Sequence, residues 1–227
     1  MAIDKEAYYR VLDELNQKKV TLVAVSKTKP VEDILAMYQL GQRDFGENYV
    51  QELVDKAAQL PKDIRWHFIG HLQTNKVKYI APFVSLIHGV ESLRLVTEIN
   101  KHAKKNKRTI KCLLQVHIAQ EETKFGLDEP ELNHLVRHLG EVDLPHVEIA
   151  GLMGMASFTD NMDLVRKEFK ELKSIFDEYS GLADSGEVTE QCRFHILSMG
   201  MSSDYKIAME EGSNMVRIGS LLFGARV

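Results

Sequence analysis

Cysteine, charge of one sign and long apolar runs are all scarce in this chain of 227 residues. The two cysteines, Cys112 and Cys192, each fall inside a predicted strand. They form neither a disulfide framework nor a metal-ligand spacing, and read as buried, reduced thiols of a cytoplasmic protein. The formal charge is −4 and the pI about 6.1, which excludes a broadly basic surface for nucleic acid. One basic run, Lys101 to Arg108 ("KHAKKNKR"), lacks a matching surface elsewhere and reads as a solvated helix end and loop. No apolar run approaches the length that spans a bilayer, so no membrane insertion is expected. The opening "MAIDKEAYYR" carries early acids and no apolar core, so secretion is not expected either. No GxGxxG follows the first strand, and no linker or low-complexity segment divides the chain. One domain over 1–227 is expected.

What is present is ordinary globular composition, 44% hydrophobic and 27% charged, arranged in a strict rhythm. An amphipathic helix is predicted over residues 4–18, with Tyr8, Val11, Leu12 and Leu15 on one face. Strands then follow at 20–26, 43–46, 65–70, 84–90, 109–118, 147–155, 193–200 and 215–219. Helices are predicted between them at 31–40, 47–60, 74–81, 92–106, 130–140, 162–180 and 202–212. Alternating strand and helix imply parallel strands joined by right-handed crossovers. Eight such units suit a closed (β/α)8 TIM barrel preceded by one extra helix.

In such a barrel, ligands bind where the strands end. The first strand, in "TLVAVSKTKP", runs out at Ser26 and Lys27. Asn48 follows the second, His67 and His71 lie on and after the third, and His88 lies on the fourth. His117, Glu121 and Lys124 belong to the fifth, Met155 and Ser157 to the sixth, and Ser198 to the seventh. Two junctions share a theme: "SMGMSSD" offers Gly200, Ser202 and Ser203, and "RIGSLLFG" offers Gly219 and Ser220 after Arg217. Small residues let backbone N–H groups reach an anion, and Ser202 or Ser203 suits a helix N-cap. The loops after the seventh and eighth strands are the usual phosphate site of this fold, although ordinary capped turns read the same way.

A lysine desolvated at a barrel mouth holds more of its neutral, nucleophilic amine. Beside a phosphate site, it suggests a phosphorylated aldehyde held as a Schiff base, of which pyridoxal 5'-phosphate is the commonest. On position alone, a lysine snorkelling from the strand end, or paired with Glu47, explains Lys27 as well.

The motifs "AVSKTKP", "FGENYVQE", "WHFIGHLQTNK", "LMGMA", "LSMGMSSD" and "VRIGSLLFGAR" occur in this order from about residue 20 to the C-terminus. Together they resemble the pyridoxal phosphate homeostasis protein family, whose fold is similar to the barrel domain of alanine racemases. The resemblance implies that Lys27 forms the aldimine with pyridoxal phosphate, and that Lys29 is only a solvated helix-start residue. It implies phosphate contacts at Ser202, with Ser203 beside it, and at Gly219 and Ser220. Arg217 matches the residue facing the pyridine nitrogen. Because arginine stays protonated, it would leave that nitrogen unprotonated and weaken the ring as an electron sink. Asn48 and His67 match positions lining the cofactor, although a satisfied core histidine remains the alternative for His67. Lys124 matches an accessory lysine or else a solvated one. His117 departs from the asparagine expected there, and the N-terminal helix is short for the family.

Three functions follow from these readings. The first is a protein that holds pyridoxal phosphate on Lys27 for intracellular vitamin B6 homeostasis, with apo pyridoxal-phosphate enzymes as candidate recipients. The second is a single-domain amino-acid racemase. That reaction needs acid–base groups on both faces of the ring, and the chain ends at Val227 with no residues for the β-domain that supplies a tyrosine in alanine racemases. The third is a sugar-phosphate barrel enzyme, whose Schiff-base lysine usually sits on a later strand. The first reading is preferred, with a monomeric, cytoplasmic protein, no bound metal, and neither nucleic acid nor membrane as partner.

Overall fold

Eight short apolar runs become eight parallel strands because helices cover one face and side chains fill the other. The computed structural model describes residues 3–120 and 125–224. Its strands are β1 (Thr21–Val25), β2 (Asp44–Glu47), β3 (Arg65–Phe68), β4 (Leu86–Val90), β5 (Ile110–Val116), β6 (Val147–Gly154), β7 (Cys192–Ser198) and β8 (Met215–Ile218). They pair in sequence order, all parallel, into a closed barrel. The seam is the β1–β8 ladder, with Thr21 opposite Met215 and Ala24 opposite Ile218. The expected (β/α)8 architecture, with an additional helix before β1, is thus the observed one.

The helices are α1 (Lys5–Gln17), α2 (Val31–Gln39), α3 (Val50–Gln59), α4 (Val77–Ile80), α5 (Leu93–Lys105), α6 (Glu129–Leu139), α7 (Met162–Ser185), α8 (Tyr205–Glu210) and α9 (Ser220–Phe223). Asp4 caps α1 by accepting from Ala7 N at 2.9 Å, and the face carrying Tyr8, Val11 and Leu15 is buried. Asp4 N donates to Leu222 O at 3.0 Å, and Tyr205 Oη donates to Glu14 Oε2 at 2.8 Å. Helix α1 therefore fastens both ends of the chain across the seam.

Several helix boundaries depart from the sequence expectation, among them α8, expected over 202–212 and observed at Tyr205–Glu210. Glu47 closes β2, and α3 begins only at Val50. The segment expected to be helical over 74–81 is a 3-10 turn (Thr74–Lys76) followed by the short α4. Helix α7 runs past Gly181 to Ser185 and stops at Gly186, whose φ of 76° is the left-handed C-cap that only glycine adopts readily.

The core has two parts. Most apolar side chains pack between sheet and helices, while Val23, Leu86, Leu113, Ala150, Met153 and Met215 fill part of the barrel interior. The β6–β7 pairing needs a glycine. Gly151 has a φ of 154°, and a Cβ there would lie 1.8 Å from Ile196 O. Cys112 and Cys192 are buried and unpaired, and burial pushes the Cys192 thiol up to about 12. The basic run is absorbed locally: Lys101 pairs with Glu98, and Arg108 donates to Ala81 O and Val84 O. No described helix is long and apolar enough to cross a membrane.

Candidate functional site

The turn after β1 is held by a buried ionic cluster. Ser26 Oγ donates to Glu47 Oε1 at 2.6 Å. Lys56 Nζ, on α3, donates to Ser26 O at 2.8 Å, to Glu47 Oε1 at 2.8 Å and to Glu52 Oε1 at 2.7 Å. Glu52 Oε1 also accepts from Thr28 N at 2.6 Å. Thr28 has a φ of 64°. A β-branched residue in the left-handed region stores on the order of 1–3 kcal/mol and persists only when its surroundings enforce it. Here the enforcing groups are Glu52 and Lys56. Between the two fastened residues, the half-buried Lys27 faces a cavity. Glu47 is fully buried, and burial pushes its carboxyl up against the pull of Lys56 and Ser26. Lys29 is no solvated helix-start residue: its Nζ donates to Phe223 O at 2.9 Å and Gly224 O at 3.3 Å.

Across the seam, the two small-residue loops meet. Ser202 Oγ accepts from Gly219 N at 3.2 Å, linking the turn after β7 to the turn after β8. Gly200 permits that turn with a φ of 98°; a Cβ there would lie 2.6 Å from the Ala208 methyl. Neither Ser202 nor Ser203 caps α8, because Asp204 occupies the N-cap. Asp204 turns its carboxylate back onto Met201 N at 2.6 Å, and burial pushes its pKa up. With α8 and α9 so short, anion attraction at these loops rests on individual N–H and hydroxyl groups.

Arg217 enters from β8 and is almost fully buried. Its Nη1 donates to Ser198 O at 2.8 Å and to Ser198 Oγ at 2.6 Å, and its Nη2 donates to Gly154 O at 3.0 Å. A guanidinium has five N–H donors. The proton on Nε and the second on Nη2 have no hydrogen-bond partner among the described residues. Burial pulls Arg217 down to about 10, so it remains cationic at neutral pH. It forms no surface ion pair.

These parts border one cavity of about 540 Å3 at the C-terminal mouth of the barrel. Lys27, Asn48, Ser202, Ser203, Arg217, Gly219 and Ser220 all line it, with Val25, Ile69, Met155, Met201 and Leu221 as apolar wall. The structure thus brings together seven of the eight residues singled out by sequence. The eighth, His67, is not among the lining residues. Its ring is buried inside the barrel between Asp44 and His88, as a satisfied core histidine. His71 stacks on Phe125 and pairs with Glu91 at 3.0 Å. Glu121 and Lys124 lie outside the described residues. Sequence reasoning missed Lys56 and Glu52, whose spacing looks like an ordinary surface helix pair. It also missed the contacts joining His88 and Ser198 to Arg217. No cluster of His, Cys, Asp or Glu among the described residues suits a metal.

Barrel and mouth together define a (β/α)8 protein that sets Lys27 opposite a cradle of hydroxyls and backbone N–H groups. The family model for the alanine racemase N-terminal domain matches residues 3–227. Curated pyridoxal phosphate homeostasis proteins are 37% identical in Haemophilus influenzae, over 93% of this chain and 87% of that protein, and 40% identical in Aquifex aeolicus, over 90% and 86%. The chain belongs to the pyridoxal phosphate homeostasis protein family. Among solved structures, PipY of Synechococcus elongatus PCC7942 without PLP superposes with a TM-score of 0.87 at 34% identity, covering 96% of this chain and 99% of that one. The same protein with PLP bound gives 0.83. An alanine racemase from Streptomyces lavendulae shares only the fold, with a TM-score of 0.74 at 15% identity, and this chain covers 58% of it.

Proposed function

We propose that this protein, as one barrel domain, holds pyridoxal 5'-phosphate in the mouth cavity as a Schiff base on Lys27 and serves intracellular homeostasis of that cofactor. The observation that carries the reading is the convergence of Lys27, Arg217 and the Ser202–Gly219–Ser220 loops on one cavity. The residues fit the group. Ser202, Ser203, Gly219 and Ser220 offer hydroxyl and backbone donors suited to phosphate oxygens. The two unpartnered Arg217 donors suit an unprotonated ring nitrogen. Asn48 Oδ1 is buried without a hydrogen-bond partner among the described residues, which marks a polar wall prepared for a ligand. The apolar wall suits a flat ring. When bound, the cofactor supplies an aldehyde that condenses with an amine as water leaves.

The lining favours holding over racemization. Its titratable side chains among the described residues are Lys27, Lys29 and Arg217, all cationic types. Racemization needs a second acid–base group facing the side of the ring opposite Lys27. The PLP-bound structure of PipY supports the cofactor assignment. By the same reading, recipients are apo enzymes that use the cofactor, and the protein works as a monomer in the cytoplasm.

The test is visible absorption of protein loaded with pyridoxal phosphate, followed by borohydride reduction and peptide mass mapping. The expected result is a reduced adduct on Lys27, absent from Lys27→Ala. That variant should keep its fold within about 0.5 kcal/mol, because a half-buried strand-end lysine adds little to the core. An adduct on another lysine, or none, would remove the assignment.

A further inference from the structure

The interior of this barrel contains a line of polar side chains where branched aliphatics usually pack. Starting at the N-terminal face, Arg65 Nε and Nη2 donate to the Asp44 carboxylate at 2.7 and 2.5 Å. Asp44 Oδ1 meets His67 Nε2 at 3.1 Å, and His67 Nδ1 meets His88 Nε2 at 2.9 Å. His88 Nδ1 meets Ser198 Oγ at 3.2 Å, and that oxygen accepts from Arg217 Nη1 at 2.6 Å. His67, His88, Ser198 and Arg217 are all buried. Strands β2, β3, β4, β7 and β8 each contribute one member after Arg65, so the line crosses the barrel to the cavity.

The two ends of the line fix their own bond directions. Arg217 can only donate and a carboxylate can only accept. Ser198 Oγ therefore accepts from Arg217, which leaves the hydroxyl proton available for donation to His88 Nδ1. His88 then carries its proton on Nε2 and donates to His67, which likewise carries its proton on Nε2 and donates to Asp44. In this arrangement the hydrogen bonds of its neighbours set each ring's tautomer. Burial, with the nearby His67 and Arg217, holds His88 well below the usual histidine range and keeps it neutral. At the cavity end, the same line fixes which Arg217 protons are engaged and which are left over.

We propose that His67, His88 and Ser198 are positioning residues, acting with Asp44 as terminal acceptor to hold the Arg217 guanidinium in the one orientation that presents its two unpartnered protons to a ligand in the cavity. This rests on the cofactor reading above. It also gives His67 a role that does not need contact with the cofactor.

The test compares Ser198→Ala, Ser198→Thr and His88→Leu with the parent protein, loaded with pyridoxal phosphate. The readouts are the dissociation constant, the position of the visible absorption band and the melting temperature of the unloaded protein. Losing a hydrogen bond to a charged group predicts about tenfold weaker binding for Ser198→Ala and His88→Leu, with a shifted band. Ser198→Thr keeps the hydroxyl and should retain parent values. In an Arg217→Gln background, Ser198→Ala should no longer change either ligand readout, because its effect runs through Arg217. Should His88→Leu fail to fold, Ser198→Ala, which removes one oxygen atom, carries the test. Variants that melt earlier yet keep parent affinity and band position would reduce the line to packing and overturn the inference. A parent protein with no adduct on Lys27 would take down the cofactor reading, and this inference with it; that outcome is distinguishable because it appears before any variant is made.

Discussion

Replacing Lys56 with methionine probes the clamp beneath Lys27. Methionine keeps most of the stem volume and removes the ammonium, so the change is chiefly electrostatic. Among the described residues, Glu47 then keeps only Ser26 Oγ as a side-chain donor, while its Oε2 already has no partner. Removing one member of a buried pair costs roughly 3–5 kcal/mol, since the survivor is left charged in a low dielectric. Protonation sets a ceiling on that cost. Neutralising a carboxyl of ordinary value 4.5 at pH 7 costs 1.36 kcal/mol per unit, or about 3.4 kcal/mol. The expected destabilisation at pH 7 is therefore about 3 kcal/mol.

The ceiling falls as pH falls towards the ordinary carboxyl value. In the variant, Glu47 has a folded pKa raised above its unfolded value, so the folded state binds the extra proton. The stability tied to that proton is complete below the unfolded pKa and is lost as pH rises. At pH 5.5 the same arithmetic leaves only about 1.4 kcal/mol of destabilisation. Urea denaturation followed by circular dichroism at the two pH values measures the difference. Adding Glu47→Gln should recover most of the loss, because the amide can still accept from Ser26 without carrying charge. A loss below about 1 kcal/mol at pH 7, or one equal at both pH values, would refute the picture of a buried paired charge.

Ser202→Ala removes the acceptor for Gly219 N and one cradle hydroxyl; pyridoxal phosphate affinity should fall about tenfold by absorbance titration, with the melting temperature little changed. Gly151→Ala forces a Cβ against Ile196 O at a positive φ and should cost about 3 kcal/mol or more in denaturant unfolding, or prevent soluble expression. Asp44 has its pKa pushed up by burial, yet hydrogen bonds from His67 and Arg65 outweigh this and lower it overall. Its stability contribution is present above the unfolded pKa and is lost as pH falls through the folded one. Asp44→Asn should therefore flatten the acid limb of a stability–pH curve, and an unchanged limb would count against the pairing.

The barrel was legible because most of its parallel strands are buried on both faces and leave apolar runs, and eight such runs alternate with helical patterns. Helix starts were less legible. Glu47, Asn48 and Tyr49 precede a helical pattern and look continuous with it, but Glu47 is drawn into β2 by its buried contacts with Ser26 and Lys56. Gly181 looked like a helix stop, yet glycine inside a helix costs only about 1 kcal/mol, and α7 has a long buried face to offset it. The mouth residues were found because strand ends carry them in any such barrel. The line from Asp44 to Arg217 was not found. His67, His88 and Ser198 each stood out singly, but which inward side chains touch depends on how the closed sheet staggers its strands, and no local pattern encodes that. Lys56 was missed for a related reason: Glu52 and Lys56 are four apart, the usual spacing of a solvated pair, and only the packing of α3 over the end of β1 buries Lys56 and half-buries Glu52.

Closure of the barrel is what makes the site. Lys27 and Gly219 lie almost at opposite ends of the sequence, yet β1 and β8 are neighbours in the sheet, so the lysine and the cradle share one seam. No local segment can bring them together. The latches reinforce the same seam: Lys29 reaches Phe223 O and Gly224 O, and Asp4 N reaches Leu222 O. Arg217, on the neighbouring strand β8, is held from the far side of the barrel through Ser198 and His88. The lysine is thus fixed by a cluster under β1 and the arginine by a line through the interior, and the two supports meet only when the last strand docks on the first. A lysine on the first strand is then no oddity of an apolar run, because it is the position from which an amine reaches the loops that finish the fold.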